Sequence, residues 1–314
     1  MFGSYDKERN MCQNADRIYW YNRLLFMMEG DAMKNLDIVI AAIQYIESHL
    51  TSEKIDLDIV AKAVHYSKFY LHRIFNDTVG MTIHNYTLRR QLTKAAELLV
   101  FSNKPIMDIA IMAGFESQQA FSNAFKAMYK RPPFRYREEG VFYPLQLEYD
   151  FKEYRQTPNT QVKAFNKEVR FISEADIPQW MNLVTLTVDG FPKLEKNKHL
   201  SALKRHIEYK GALLMTENGN TVGGMMLNYM TGSIDFLAVH PLYRKRGIAH
   251  EFFQVTLKEL KNVEVSTTTF REGDMADIGY RKALKELGFA EAELLTEFGY
   301  PTQRMVYLRG KSHE

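Results

Sequence analysis

The stretch Ser233-Ile-Asp-Phe-Leu-Ala-Val-His-Pro-Leu-Tyr-Arg-Lys-Arg-Gly-Ile-Ala249 decides how the C-terminal half of the chain reads. An apolar strand, Ile234 to Val239, runs into Arg244-Lys245-Arg246-Gly247-Ile248-Ala249. A helix follows, with Phe252, Phe253, Thr256, Leu257 and Leu260 on one face. At such a turn successive backbone amides point inward and glycine lets the backbone approach a ligand closely. The helix N-terminus adds partial positive charge, and Arg244 and Arg246 add full charges. The combination suits a pyrophosphate, although six residues at this spacing also arise by chance as a plain basic helix start.

Strands and helices alternate on both sides of this stretch. Val169 to Ile172 reads as a strand, and Ser173-Glu-Ala-Asp176 as a capping box that opens a helix. Strands at Ala212 to Met215 and Thr221 to Asn228 flank the turn-forming pair Asn218-Gly219. After a helix from Ile248 to Lys261 come a strand at Val263 to Phe270, a helix around Ile278 to Leu287 and two final strands. This is a mixed α/β pattern.

The first half has another character. From Leu36 to Arg137 short helices are separated by brief turns, without strand-like alternation. Two segments repeat at an offset of 50, pairing Asp58 with Asp108, Ile59 with Ile109, Ala63 with Ala113, Ser67 with Ser117 and Phe75 with Phe125. Each is a short helix, a tight turn and a helix capped by serine, the plan of a helix-turn-helix whose second helix enters the major groove. A long helix from Asn85 to Leu99 joins them, so one chain can occupy two successive grooves. Between the halves, Glu138 to Lys167 reads as a linker, with a short alternating stretch at Leu145, Leu147 and Tyr149 suggesting a strand. Residues 1–34 show no clear periodicity. They read either as a short packing helix or as translated leader, with Glu29-Gly30 lying in a ribosome-binding sequence ahead of a start at Met33.

The 314 residues suffice for two domains with separate cores, and 46% apolar with 25% charged residues is a globular balance. No apolar run is long enough to span a bilayer and no signal peptide is evident. The single cysteine, Cys12, excludes an internal disulfide and a cysteine-based zinc site, and no metal is expected. The expected location is cytoplasmic, in a bacterium. The net charge is only +3, but residues 35–137 hold 13 Lys/Arg against 9 Asp/Glu, whereas residues 168–314 hold 19 of each. The positive balance sits in the half that would meet phosphates.

Ile106-x-Asp-Ile-Ala, Gly114-Phe115-x-Ser117, Phe121, Phe125-Lys126, Pro133 and Tyr136-Arg137 fall at the signature spacing of the AraC family of transcription regulators, which residues 38–137 strongly resemble. The run Gly-Phe-Glu-Ser-Gln-Gln-Ala-Phe121 is close to the small MarA, SoxS and Rob group. Lys130 and Pro132 depart from the family's usual glycine and threonine. The resemblance implies double-stranded DNA and RNA polymerase as partners. It implies base-facing positions at Lys68, Phe69, His72 and Arg73 in the first copy and at Gln118, Gln119, Ser122 and Asn123 in the second. Arginine can clasp guanine, glutamine can pair with adenine and phenylalanine can meet a thymine methyl. Asn123 stands where relatives often carry arginine, so the second half-site should be weaker or altered. His49, His65 and His84 read as packing or surface residues.

The strand, the Arg244–Ala249 turn, the helix behind it and Leu287-Gly288-Phe289 together resemble the GNAT acyltransferase family over residues 169–308. That resemblance implies acetyl-CoA as cofactor. Backbone groups of Leu237, Ala238 and Val239 would meet the pantetheine arm, and Arg244, Lys245, Arg246, Gly247, Ile248 and Ala249 would hold the pyrophosphate. Asp235, near where some members place a carboxylate, is either the catalytic base or a surface strand residue. The usual tyrosine acid is replaced by Leu284, and Tyr280, one turn earlier, is either its substitute or a packing residue. Glu251, His240 and His250 are further polar candidates.

The expected architecture is therefore multidomain: an extension (1–34), an all-α double helix-turn-helix (35–139), a linker (140–167) and an α/β (α+β) GNAT fold with a mixed central sheet (168–314). The expected function is a sequence-specific regulator, acting as an activator, whose C-terminal domain acetylates an unidentified amine. The alternative is a non-catalytic domain that senses acyl-CoA or a small amine for the DNA reader.

Overall fold

The computed structural model describes residues 34–51, 55–151, 167–187, 196–217, 219–244, 246–260, 264–297 and 299–308. The alternative readings of the N-terminal extension concern residues that lie, but for Lys34, outside these. A helix over residues 34–49 (α1) precedes α2 (Leu57–Ala63), α3 (Lys68–Val79), α4 (Ile83–Phe101), α5 (Ile106–Met112), α6 (Gln118–Tyr129) and α7 (Pro133–Glu139). Short polar side chains set several starts. Asp56 accepts from Ile59 N, Ser67 from Tyr70 N, Thr82 from Asn85 N and Ser117 from Ala120 N, at 2.9–3.3 Å. Each such cap stabilises its helix by about 1 kcal/mol.

The two helix-turn-helix units, α2–α3 and α5–α6, are offset by 50 residues in their second helices but by 49 in their first. Leu71 and Phe75 are buried like Phe121 and Phe125, as an offset of 50 requires. In the first helices the fully buried partners are Val60 and Ile109, not Ile59 and Ile109. The left-handed turn residue is His65 in one unit and Gly114 in the other. The turns close by Tyr66 N donating to Ala61 O and Phe115 N to Ala110 O. The second turn, residues 113–117 against 64–67, carries one more residue and absorbs the slip.

Residues 141–151 form no strand. Their peptide groups bond instead to side chains of α4: Gln146 N donates to Thr93 Oγ1, while Arg89 and Arg90 donate to the carbonyls of Leu145 and Gln146. With its backbone engaged by side chains, the segment has no need of a neighbouring strand. Leu145 completes the core of the second unit, and Tyr149 and Phe151 complete that of the first.

The C-terminal half is an α/β domain on one seven-stranded mixed sheet, in the order β1 (Lys167–Phe171), β2 (Ala212–Glu217), β3 (Asn220–Asn228), β4 (Ser233–Val239), β5 (Val265–Phe270), β7 (Tyr300–Tyr307), β6 (Ala290–Glu297). All neighbours are antiparallel except β4 and β5. Alternation along β2 divides the core. Ala212 and Leu214 face α8 (Ile177–Thr187) and α9 (Lys196–Glu208), whereas Leu213 and Met215 face α10 (Ile248–Glu259) and α11 (Tyr280–Glu286).

Adjacent glycines in β3 allow the close approach on both faces. A Cβ on Gly223 would lie 2.6 Å from a Phe252 ring carbon and 2.9 Å from Ile248 Cγ2; one on Gly224 would lie 2.9 Å from the Trp180 ring. Gly223 therefore seats the first turn of α10 on the sheet, beside β4. Among the described residues no helix is long and apolar enough to cross a membrane, and no group of three or more His, Cys, Asp or Glu could hold a metal.

Candidate functional site

The N-terminal ends of α3 and α6 face solvent. Lys68, Phe69, His72 and Arg73 are exposed, as are Gln118, Gln119 and Asn123, with Ser122 half-buried. Phe69 is 79% exposed. Lys68 pairs with Asp58 at 3.2 Å, and the Arg73 guanidinium lies over the Tyr70 ring at 5.5 Å. His65 and His84 are exposed, and His49 Nδ1 lies 2.8 Å from Tyr45 O.

In the other half, β4 and β5 pair only at their beginnings, through Ser233 and Ser266, with Thr267 Oγ1 donating to Ile234 O. Beyond Asp235 the β5-facing edge of β4, including Leu237, Ala238 and Val239, has no strand partner among the described residues. The start of α10 lies next to this opening. Its N-cap is Gly247, in the left-handed region at φ 78° and without a capping side chain. A Cβ there would meet nothing within 4 Å. The open approach and uncapped amides fit an anion at this turn.

Both described arginines of the turn have protein partners. Arg244 Nη1 donates to Tyr149 OH at 3.0 Å, and the guanidinium lies over that ring at 5.7 Å. Arg246 lies over the Tyr243 ring at 4.8 Å and 3.8 Å from Glu217. Ile248 is buried against the sheet and Ala249 is half-buried. Lys245 lies outside the described residues. His240 is wholly buried, its Nδ1 accepting from Leu242 N, and burial with the nearby Arg244 and Arg246 lowers its pKa to about 3. Glu251 and His250 are exposed.

Asp235 is the extra residue of a bulge in β4: Leu227 faces Ile234 and Met226 faces Phe236, leaving Asp235 unmatched. Its carboxylate accepts from Ser233 Oγ and from Asn228 Nδ2 at 3.4 Å, and lies 3.2 Å from His206 Nε2. Partial burial pushes its pKa up, but these three donors outweigh it and hold the pKa below the ordinary range. His206, on α9, also places Nδ1 2.8 Å from Ala202 O, so both ring nitrogens face acceptors. His199 accepts from Trp180 Nε1 at 2.9 Å and is neutral, its pKa lowered to about 4 chiefly by burial. The spacing His199, Leu203, His206 marks one buried stripe of α9 and was the available signal for these two histidines.

Tyr280 packs against Phe270, Ala276 and Tyr300, and Leu284 is buried in the core under α11. A surface cleft of about 460 Å³ on α11, lined by Glu272, Asp277, Arg281, Lys282, Lys285 and Glu286, includes none of the expected cofactor or catalytic residues.

A double helix-turn-helix joined to a mixed sheet with one parting parallel pair defines a DNA-binding protein carrying an acyltransferase-type domain. Residues 60–139 match the helix-turn-helix domain family, and residues 185–305 match the acetyltransferase (GNAT) domain family. The chain is 37% identical over 105 residues to the regulatory protein SoxS of Salmonella typhimurium, covering 33% of this chain and 97% of that protein. It is 44% identical over 95 residues to the HTH-type transcriptional regulator YbfP of Bacillus subtilis, covering 30% of this chain but only 32% of YbfP. A crystal structure of a GNAT-family acetyltransferase from Bacillus cereus overlaps 45% of this chain and 96% of its own, at 16% identity and a TM-score of 0.38. The chain belongs to the AraC-type helix-turn-helix transcription regulators, with the homologues SoxS and Rob, and carries a C-terminal GNAT domain.

Proposed function

We propose that this regulator reads two successive half-sites through Lys68, Phe69, His72 and Arg73 and through Gln118, Gln119, Ser122 and Asn123. We further propose that its GNAT domain binds acetyl-CoA and acetylates a cationic primary amine. The observation that carries the second part is the parting of β4 and β5 beside the open start of α10. Leu237 to Val239 would receive the pantetheine arm, and Arg244 to Ala249 the pyrophosphate. When bound, acetyl-CoA would supply the acetyl thioester.

The chain's own contribution centres on Asp235. A carboxylate held below its ordinary pKa binds a cation better than it removes a proton from it. Asp235 therefore orients the incoming ammonium, and the proton leaves through water. His206, behind it, acts as a positioning residue that fixes the carboxylate on the bulge. Free-thiol release measured across a panel of polyamines, amino sugars and lysine peptides tests this. Sustained release with one amine, abolished in Gly247→Glu and weakened mainly through KM for the amine in Asp235→Asn, is the expected result. Release that is unaffected by Gly247→Glu would refute the cofactor placement.

The burial of Leu284 and the packing of Tyr280 favour a second reading, in which the domain senses acyl-CoA without turnover. Saturable acetyl-CoA binding with no release for any amine would select it.

A further inference from the structure

The α/β domain holds the C-terminal ends of both recognition helices, and it does so with the loops that follow β4 and β5 and with the start of β7. At α3 the C-cap is Gly80, in the left-handed region, where an added Cβ would lie 3.9 Å from Arg244 Cδ. Arg244 donates to Tyr149, a member of the first unit's core, and Leu242 and Ile278 pack against that same core. At α6 the C-cap is Lys130, also left-handed at φ 61°. Its ammonium pairs at 2.8 Å with Asp274, whose side chain is almost fully buried. Tyr300 OH lies 3.0 Å from the same carboxylate and 3.1 Å from Met128 O in the last turn of α6. Arg89 of α4 adds a 2.7 Å bond to Met275 O.

Lys130 explains a departure from the family. A residue with a Cβ in the left-handed region costs about 1–2 kcal/mol where glycine costs nothing comparable. Here the ammonium reaches a buried carboxylate across the interface, a contact that glycine could not make.

Leu242 and Arg244 at the first unit follow the end of β4, whereas Ile278 at the first unit and Asp274 and Met275 at the second follow the end of β5; β4 and β5 are the two strands that part to leave the opening beside α10. We propose that the β4–β5 opening sets the distance between the two recognition helices, so that acyl-CoA and a duplex with two half-sites bind with mutual dependence. This rests on the acyl-CoA placement given above. Whatever widens or rotates the opening shifts the Arg244 and Leu242 contacts of the first unit relative to the Asp274 and Tyr300 contacts of the second, and a pyrophosphate that engages Arg244 competes with Tyr149. By linkage, the factor by which acetyl-CoA changes duplex affinity must equal the factor by which the duplex changes acetyl-CoA affinity.

The test uses the full chain and a duplex selected by it from a random-sequence pool, together with versions carrying one base pair inserted or deleted between the half-sites. Duplex affinity is measured by fluorescence anisotropy with and without saturating acetyl-CoA, and acetyl-CoA affinity by calorimetry with and without duplex. Reciprocal shifts of about fivefold or more are expected, with a different factor for the respaced duplexes. Tyr149→Phe removes one hydroxyl, and Lys130→Gly suits the left-handed cap while removing the ion pair. In the pair of variants the factor should fall towards one while each ligand still binds alone. Two ligands that bind independently in the unmodified chain would overturn the coupling and leave the acyl-CoA placement standing. Duplex binding with no acetyl-CoA binding at all would overturn both.

Discussion

Replacing Gly223 by alanine should loosen the proposed cofactor turn from beneath, through Ile248. The new methyl would lie 2.6 Å from the Phe252 ring and 2.9 Å from Ile248 Cγ2, and 3.3 Å from Ala238 O, which cannot yield. Overpacking of this kind costs about 1–3 kcal/mol. For a domain of this size that corresponds to a fall in Tm of roughly 2–12 °C. The strain is relieved most readily by lifting the first turn of α10, which carries Gly247 and the uncapped amides. Acetyl-CoA affinity should therefore fall about tenfold, the equivalent of 1.4 kcal/mol. Gly224→Ala is the matched control, because its methyl would meet Trp180 at 2.9 Å on the opposite face. It should lower Tm by a similar amount and leave acetyl-CoA affinity within about twofold. Differential scanning calorimetry and isothermal titration on the two variants provide both numbers. Equal losses of affinity in both, or none in Gly223→Ala despite a lowered Tm, would refute the idea that Gly223 seats the cofactor turn.

Arg73→Ala should cost about 1–3 kcal/mol of duplex affinity and relax sequence choice in one half-site, as read by footprinting. Phe69→Ala, at an exposed position, should weaken duplex binding with a stability change below about 0.5 kcal/mol. His199 has a folded pKa of about 4, below the usual value for histidine, so unfolding takes up a proton between these values. Stability is therefore full above pH ~6.5 and lost as pH falls towards 4, by up to about 3 kcal/mol. His199→Gln, which can still accept from Trp180, should flatten that part of a urea-denaturation pH series. Glu47 pairs with Arg90 at 2.7 Å and accepts from Tyr86, both partners being largely buried. Glu47→Gln should lower stability by about 3–5 kcal/mol, measurable in denaturant, because it takes the hydrogen-bonded carboxylate away from a largely buried guanidinium.

The architecture was legible because its signals are local. Serine caps, apolar stripes and the Gly247 turn each declare an element within a few residues. The repeat was legible too, but its slip from 50 to 49 was not, since Ile59 and Ile109 are both apolar and only burial tells that Val60 is the true partner. The strand anticipated near Leu145 failed for a related reason. Alternating apolar residues show which side chains turn inward, but not that Thr93, Arg89 and Arg90 would take the backbone bonds. In the candidate site, the carboxylate at Asp235 was visible. Its partner His206 was not, because the two are brought together across 29 positions by α9 packing on a bulge. Tyr280 reads from the sequence as either a substitute acid or a packing residue, and its ring packs with Phe270 and Tyr300. Lys130 is visible in the sequence only as a departure from the family's usual glycine, and its partner Asp274 gives it a role.

The segment 141–151 has a consequence for the order in which the chain is made. Helices α1 to α7 are synthesised first, but the cores beneath them still lack Leu145, Tyr149 and Phe151. Arg89, buried at the centre of α4, takes its last bond from Met275, 186 residues further along the chain. On the ribosome the seam can close soon after α7, but the buried guanidinium still lacks its final partner. It gains its full set of contacts only when most of the second half has emerged.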